Sequence, residues 1–267
     1  MTEPGAAREL PDILRRIVAQ RCERYEIPRT ERPTATGHPP PPLVRANPFY
    51  IALNARRGGA VIAEVKMGSP RLGSLAGRFD PEAQARTYAA AGAAALSVVV
   101  EPDHFFGSYE LLARCREASG LPAIAKDFVV SERQLDEAAA VGASAVLLIA
   151  ALYSRDELAA WAAAARVREL VPLIETHDAE DLDRLAGAEW ELVGVNNRDL
   201  RTFEVSLEHS ISMRPRLPEG AISVAESGIH AREDVERLRA AGFEAFLVGE
   251  ALLVSGDPAE KMAELFS

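Results

Sequence analysis

A short apolar run, a polar loop and a helix-like stretch follow one another eight times between Val61 and the C-terminus. The repeat spacing is roughly 20–35 residues, the size of a βα unit. The eight runs are Val61–Lys66, Ala95–Glu101, Ala123–Asp127, Ala145–Ala150, Val171–Glu175, Leu192–Asn196, Ile222–Glu226 and Ala245–Gly249. Ala145–Ile149 is apolar at every position, so both of its faces must be covered, which a parallel sheet beneath helices achieves. Helix punctuation fills the intervals. Asp80 precedes Pro81, Ser131 opens and Gly142 closes one segment, Ser154–Glu169 is Ala-rich, and His230–Ala241 stops at Gly242. Leu207–Met213 carries the weakest signal. Eight such units within about 210 residues predict an α/β fold, a closed (β/α)8 TIM barrel, in preference to an open doubly wound sheet. No glycine-rich dinucleotide fingerprint opens any unit.

Ahead of the repeats, Leu10, Ile13, Leu14, Ile17 and Val18 are spaced as one face of a helix over Arg8–Glu26. Pro28–Pro48, with the run Pro39–Pro42, can be neither helix nor inner strand and reads as an extended arm. Leu43, Val44, Phe49, Ile51 and Leu53 would dock that arm. The expected division is therefore residues 1–48 as a helix and proline-rich arm packed on the barrel, and residues 49–267 as the barrel itself.

Partners are bounded by charge. A net charge of −10 argues against a general nucleic-acid binder, although a local cation cluster can still take an anionic small molecule. No apolar run is long enough to span a membrane, and no signal-peptide pattern is present. Cys22 and Cys115 form no spaced motif and read as free thiols in a reducing cytoplasm.

In a barrel of this kind the chemistry sits at the C-terminal ends of the strands. Glu64 and Lys66 end the first run two residues apart, so they share a face, while Ala63 and Val65 face a covering helix. Lys126, Glu175, Asn196 and Glu226 end later runs. An acid or ammonium just inside an apolar strand is costly unless it pairs or works, so structural ion pairs and a catalytic ring are the two readings. Asn197 reads as turn chemistry, with Arg198 and Asp199 as a salt bridge holding that turn. His177 reads as a loop or helix-start residue rather than an acid–base group. His38, His104, His209 and His230 show no metal-ligand spacing, and no metal is expected. Ser227, Gly228 and Gly249 supply small residues where phosphate is often held in such barrels, and Ser69 adds a hydroxyl.

Taken in order, these motifs resemble indole-3-glycerol-phosphate synthase. They are Ile62–Lys66 with Ser69-Pro70, Ala95–Val98, Phe106–Ser108, Lys126–Phe128, Leu147–Ile149, Glu175, Gly194–Leu200 with Thr202-Phe203, Glu226–Ile229 and Leu247–Glu250. The resemblance implies conversion of 1-(o-carboxyphenylamino)-1-deoxyribulose 5-phosphate to indole-3-glycerol phosphate, with loss of CO2 and water, in tryptophan biosynthesis. It implies Lys126 as general acid, Glu175 as its acid–base partner, Lys66 on the substrate carboxylate and Glu64 orienting Lys66. Asn196 and Glu226 would position reacting groups, and Ser69, Ser227, Gly228 and Gly249 would hold the phosphate end. No cofactor is implied, and a tryptophan-pathway enzyme comes into view as a partner. Arg71, Ala125 and Val99-Val100 depart from the family pattern. Three alternatives stand beside the synthase: another phosphosugar-binding barrel, a paralogue acting on a modified anthranilate-derived substrate, and a non-catalytic binding barrel.

Overall fold

The computed structural model describes residues 10–33, 42–70 and 73–267. Eight parallel strands close into a barrel in sequence order: β1 (Ala60–Val65), β2 (Ala95–Val99), β3 (Ala123–Lys126), β4 (Ala145–Ile149), β5 (Val171–Thr176), β6 (Leu192–Asn196), β7 (Ile222–Glu226) and β8 (Ala245–Val248), with β8 pairing back onto β1. The expected runs and the observed strands agree within two residues at every end. The largest difference is at β2, which stops at Val99 so that Glu101 can fold back. Its carboxylate accepts from the backbone N–H groups of Asp103, His104 and Phe105. Lys66 likewise lies one residue past β1, in the loop.

Two apolar layers follow from the period of two along each strand. Inward-facing Ala60, Ile62, Ala95, Ile124, Leu147, Leu173, Leu192, Val224 and Leu247 fill the barrel interior. Outward-facing Ala63, Val65, Leu148, Ile174, Val193 and Phe246 pack under the helices. Continuing the inward set one more step towards the C-terminal end reaches Glu64, Lys126, Glu175 and Glu226, and on β6 a second step, past Gly194, reaches Asn196. The register places Asn196 beside Glu226 and Ile149 beside Glu175. The ring of polar groups therefore stands directly on a sealed apolar floor.

The helices begin where the sequence punctuates them. Asp80 caps α3 (Pro81–Ala90), Ser108 caps α4 (Tyr109–Ser119), Ser131 caps α5 (Glu132–Ala140) and Ser154 caps α6 (Arg155–Val167). The remaining barrel helices are α7 (Ala179–Arg184), α8 (Leu207–Met213), α9 (Arg232–Ala240), α10 (Glu250–Val254) and α11 (Pro258–Phe266).

Ahead of the barrel, α1 covers Asp12–Arg24, shorter at both ends than the periodicity suggests. The docking segment of the arm is corrected by a further helix, α2 (Pro48–Asn54). The Asn47 side chain accepts from Phe49 N–H and Pro48 occupies the first helical position, where its missing N–H costs nothing. Phe49 and Leu53 are fully buried against the barrel interior, closing its N-terminal end, whereas Ile51 is exposed. Burying each of the first two contributes about 1.5–3 kcal/mol. Most of the run Pro39–Pro42, together with His38 and Arg71, lies outside the described residues.

Candidate active site

Lys126 is the centre of the ring. Its Nζ donates to Glu175 Oε2 at 3.1 Å and to Glu226 Oε2 at 3.2 Å, two buried carboxyl groups from β5 and β7. Beside it, Lys66 Nζ donates to Glu64 Oε1 at 2.8 Å. The strand-end pair is therefore formed, and both lysines enter one site.

These contacts set the protonation states. Burial alone would lower the pKa of Lys126, but the charges of Glu175, Glu226 and Glu64 outweigh it and hold the ammonium well above the ordinary lysine range. Burial works to raise Glu64, yet Lys66 and Lys126 bring it below the usual carboxylate range. Glu175 is also held low: burial opposes ionisation, while Lys126 and then His177 favour it more strongly. Glu226 goes the other way. Burial and the adjacent Glu175 carboxylate exceed the pull of Lys126, and its carboxyl is pushed up to about 8. The two glutamates share the Lys126 ammonium. They thus form a pair in which Glu175 carries the charge and Glu226 the proton, as expected when two carboxyls share one cation.

Above the ring lies a cavity of about 230 Å³ that touches every residue singled out from the sequence: Glu64, Lys66, Ser69, Lys126, Glu175, Asn196, Glu226, Ser227, Gly228 and Gly249. One wall is apolar, made by Ile13, Leu14 and Ile17 of α1 with Phe105 and Phe128. The rings of Phe105 and Phe128 lie 6.1 Å apart. The position of α1 over the mouth follows from Arg21, a buried guanidinium paired with Asp127, the residue next to Lys126. Asp127 also accepts from Tyr109 Oη at 3.1 Å and from Gln134 Nε2 at 2.9 Å. The helix that shapes the cavity is thus tied to the strand that carries the central lysine.

The opposite wall is built from small residues. Ser227 and Gly228 both adopt left-handed backbone, φ +66° and +77°. A Cβ at Gly228 would fall 2.4 Å from Val205 Cγ1, so this turn admits only glycine there. Gly249 has a negative φ and a steric purpose: a Cβ there would fall 2.5 Å from Glu64 Oε1.

The loop after β6 differs from expectation. Asn197 is absent from the left-handed residues. Its side chain is a buried tie, donating to the Ser227 carbonyl at 3.0 Å and accepting from Ser210 Oγ at 2.5 Å. Arg198 reaches Glu250 Oε2 at 3.0 Å across the mouth rather than bridging to Asp199. Asp199 instead accepts from the backbone N–H groups of Arg201 and Thr202, and that is what closes the turn. Asn196 Oδ1 accepts from the Arg198 N–H at 3.0 Å. Arg198 thereby lines the cavity, a role its proximity to Asp199 concealed.

His177 is also closer to the centre than a loop or helix-start residue need be, with its Nε2 3.1 Å from Glu175 Oε1. The signal was in the sequence: Glu175 and His177 have the same two-residue spacing as Glu64 and Lys66. Among the described residues no group of three or more His, Cys, Asp or Glu side chains is placed to hold a metal ion.

A family model described as indole-3-glycerol phosphate synthase matches residues 14–265. An indole-3-glycerol phosphate synthase of Chromobacterium violaceum is 41% identical over 96% of this chain and 98% of its own length. That of Laribacter hongkongensis is 41% identical over 97% and 100%, and that of Koribacter versatilis 44% identical over 81% and 84%. Among solved structures, thiamine phosphate pyrophosphorylase from Pyrococcus furiosus superposes with a TM-score of 0.59 at 17% identity, covering 79% of this chain and 96% of that one. At that identity the likeness is one of fold.

Proposed function

The chain belongs to the indole-3-glycerol phosphate synthase family, and we propose that the ring around Lys126 divides that reaction among its members. The activity is that of a carboxy-lyase of tryptophan biosynthesis: 1-(o-carboxyphenylamino)-1-deoxyribulose 5-phosphate closes to indole-3-glycerol phosphate, releasing CO2 and water. An aryl carbon attacks the ketone, the carboxylate leaves as CO2 to restore aromaticity, and the new hydroxyl leaves as water.

Ring closure needs a proton at the ketone oxygen as negative charge develops there. Lys126 is the donor in this reading, supported by its central place and by the two carboxyl groups that keep it charged. Those same groups make it a reluctant acid in the free site. A ketone oxygen that replaces one carboxylate contact lowers the pKa of the ammonium and releases the proton. Glu175 takes and returns protons during dehydration, supported by its direct bond to Lys126. Lys66, steadied by Glu64, is a cation for the substrate carboxylate at the edge of the apolar wall, where the aryl ring would lie. Asn196 and Glu226 position the reacting carbons. Ser69, Ser227, Gly228 and Gly249 line the side where small residues let a phosphate approach backbone.

The observation that carries this assignment is the bridging of Glu175 and Glu226 by Lys126 on an apolar floor. A phosphosugar isomerase would have no need of the second cation at Lys66 or of the apolar wall for an aryl group. The test is to mix the protein with the ribulose phosphate and follow indole fluorescence. Saturable turnover abolished in Lys126→Ala supports the assignment; near-full turnover in that variant sinks it.

The division into an extension (residues 1–48) and a barrel (residues 49–267) is proposed on the same footing, supported by the Arg21–Asp127 tie. A cytoplasmic setting is supported by the free, buried Cys22 and Cys115. Among the described residues no helix is long and apolar enough to cross a membrane.

A further inference from the structure

Glu175 has two oxygens, and Lys126 engages only Oε2. The other, Oε1, lies 3.1 Å from His177 Nε2. Behind the ring, Nδ1 lies 3.7 Å from Asp181 Oδ2, so the buried imidazole sits between two carboxylates at ion-pair distance, with neither ring nitrogen completing a hydrogen bond. Asp181 is fully buried and accepts from Arg184 Nη1 at 2.6 Å and from the His177 backbone N–H at 2.8 Å. The His177 carbonyl in turn contacts His209 Nε2 at 2.6 Å. A continuous chain of charged contacts therefore runs from Arg184 at the edge of α7 to Lys126 at the centre of the barrel.

We propose that His177 is a positioning residue for the reaction, gripping Glu175 Oε1 so that Oε2 stays aimed at Lys126. This rests on the synthase reading above. A carboxylate bonded at one oxygen swings readily about its last torsion, which is broad. A buried cationic ring 3.1 Å from the second oxygen biases the carboxylate plane, and reacting groups held within a fraction of an ångström gain much of their rate from that alone. The surroundings favour the imidazolium. Burial would lower the pKa of His177, but the adjacent carboxylates of Asp181 and Glu175 raise it to about 9. Asp181 comes from α7 and Glu175 from β5. The other charged or titratable groups around the ring are Asp178 and His209 beside it, Asp199 across the loop after β6, and Lys126 and Glu226 beyond Glu175.

The experiment compares His177→Gln, His177→Asn and His177→Leu with the parent, using indole fluorescence corrected for active-site concentration. Positioning predicts that kcat falls about 10–100-fold in His177→Leu while KM stays within about twofold, the pattern of an interaction used in the transition state. His177→Asn or His177→Gln, which retain a donor, recover part of kcat. The alkaline limb expected near pH 9 in the parent disappears in all three. Should His177→Leu fail to fold, Asp181→Asn removes the charge behind the ring while keeping an acceptor, and predicts the same split at smaller size. A variant with lower thermal stability but parental kcat and a superimposable pH profile overturns the proposal, because that is a structural role alone. An independent readout is the ring titration by NMR in the free protein, assigned against His177→Asn. A midpoint near 9 that drops in Glu175→Gln supports the grip, and an ordinary midpoint near 6.5 overturns it. The ring titration needs no turnover, so an inactive parent, which would sink the synthase reading, is read separately from a missing grip.

Discussion

Glu226 lies over Gly194 so closely that a Cβ on the glycine would fall 2.0 Å from Glu226 Oε1. Gly194 sits in the middle of β6, beside β7, where the closed ladder prevents the backbone from yielding. The glycine therefore shapes the ring around Lys126. It leaves room for the carboxyl group that meets Lys126. Gly249 does the same for Glu64.

Gly194→Ala should accordingly move Glu226 off Lys126. The backbone there is not left-handed, so the substitution carries no conformational penalty of its own. We expect kcat to fall on the order of 10²-fold, as for misplacement of a group near the chemistry by about 1 Å. Steady-state kinetics beside a thermal melt checks this. A folded Gly194→Ala protein with parental kcat would show that Glu226 is not needed where it stands.

Lys126→Met should lower kcat by about 10²–10⁴-fold, the range for loss of a general acid. Its stability should also change with pH. Without the ammonium, Glu175 keeps only the His177 ring as a cationic neighbour, a defect of at most about 3–5 kcal/mol, the cost of breaking a buried pair outright. Protonating Glu175 relieves it, so the gap from the parent is widest near neutral pH and narrows as pH falls. Urea unfolding of both proteins at several pH values measures the gap. A constant gap would mean that the glutamates do not depend on Lys126.

Arg21→Met should destabilise the protein by about 3–5 kcal/mol, because Asp127 is left buried with its cation gone. Asp127 retains Tyr109 and Gln134 as donors, so Arg21→Met with Asp127→Asn should recover part of that loss. Since α1 supplies Ile13, Leu14 and Ile17 to the cavity wall, KM should rise more than kcat falls. An unchanged KM would detach α1 from substrate binding.

Where sequence and structure agree, the physics is local. The parity of inward positions along a strand placed Glu64 and Lys66 on one face, and the same alternation put Lys126, Glu175, Asn196 and Glu226 on one ring. Asp80, Ser131 and Ser154 cap helices where they stand in the sequence. What stayed hidden was set by tertiary contact. Nothing in the periodicity of α1 says that its apolar face meets the barrel mouth; that follows from Arg21 finding Asp127 106 residues away. Adjacent charges suggested an Arg198–Asp199 pair, yet Arg198 is drawn across the mouth to Glu250, while backbone N–H groups take Asp199. Phe49 and Leu53 looked like anchors of an arm because seven residues are too few for a clear helical period.

Stability should fall as pH rises from 6.5 to 9. His177 has its ordinary pKa near 6.5 in the unfolded chain and about 9 in the folded one, so across this window the native protein holds the extra proton. Stability gained from its pairing is fully present below pH 6.5 and lost as pH passes 9. Glu226 acts in the same direction over a lower window. Its carboxyl is pushed from 4.5 to about 8, so its protonated native form stabilises less and less from pH 4.5 upward. Glu64 and Glu175, both held low, act oppositely. Their contribution is present above about pH 4.5 and lost as pH falls through their depressed folded values. Together these set a stability maximum on the acid side of neutrality. Urea midpoints at pH 5.5, 6.5, 7.5 and 9, values on the order of those limits, test it in the parent and in His177→Gln. The parent midpoint should decline through the last three, and the decline should be shallower in His177→Gln, which has no imidazole to titrate. Identical slopes in the two proteins would mean that His177 does not carry the raised pKa.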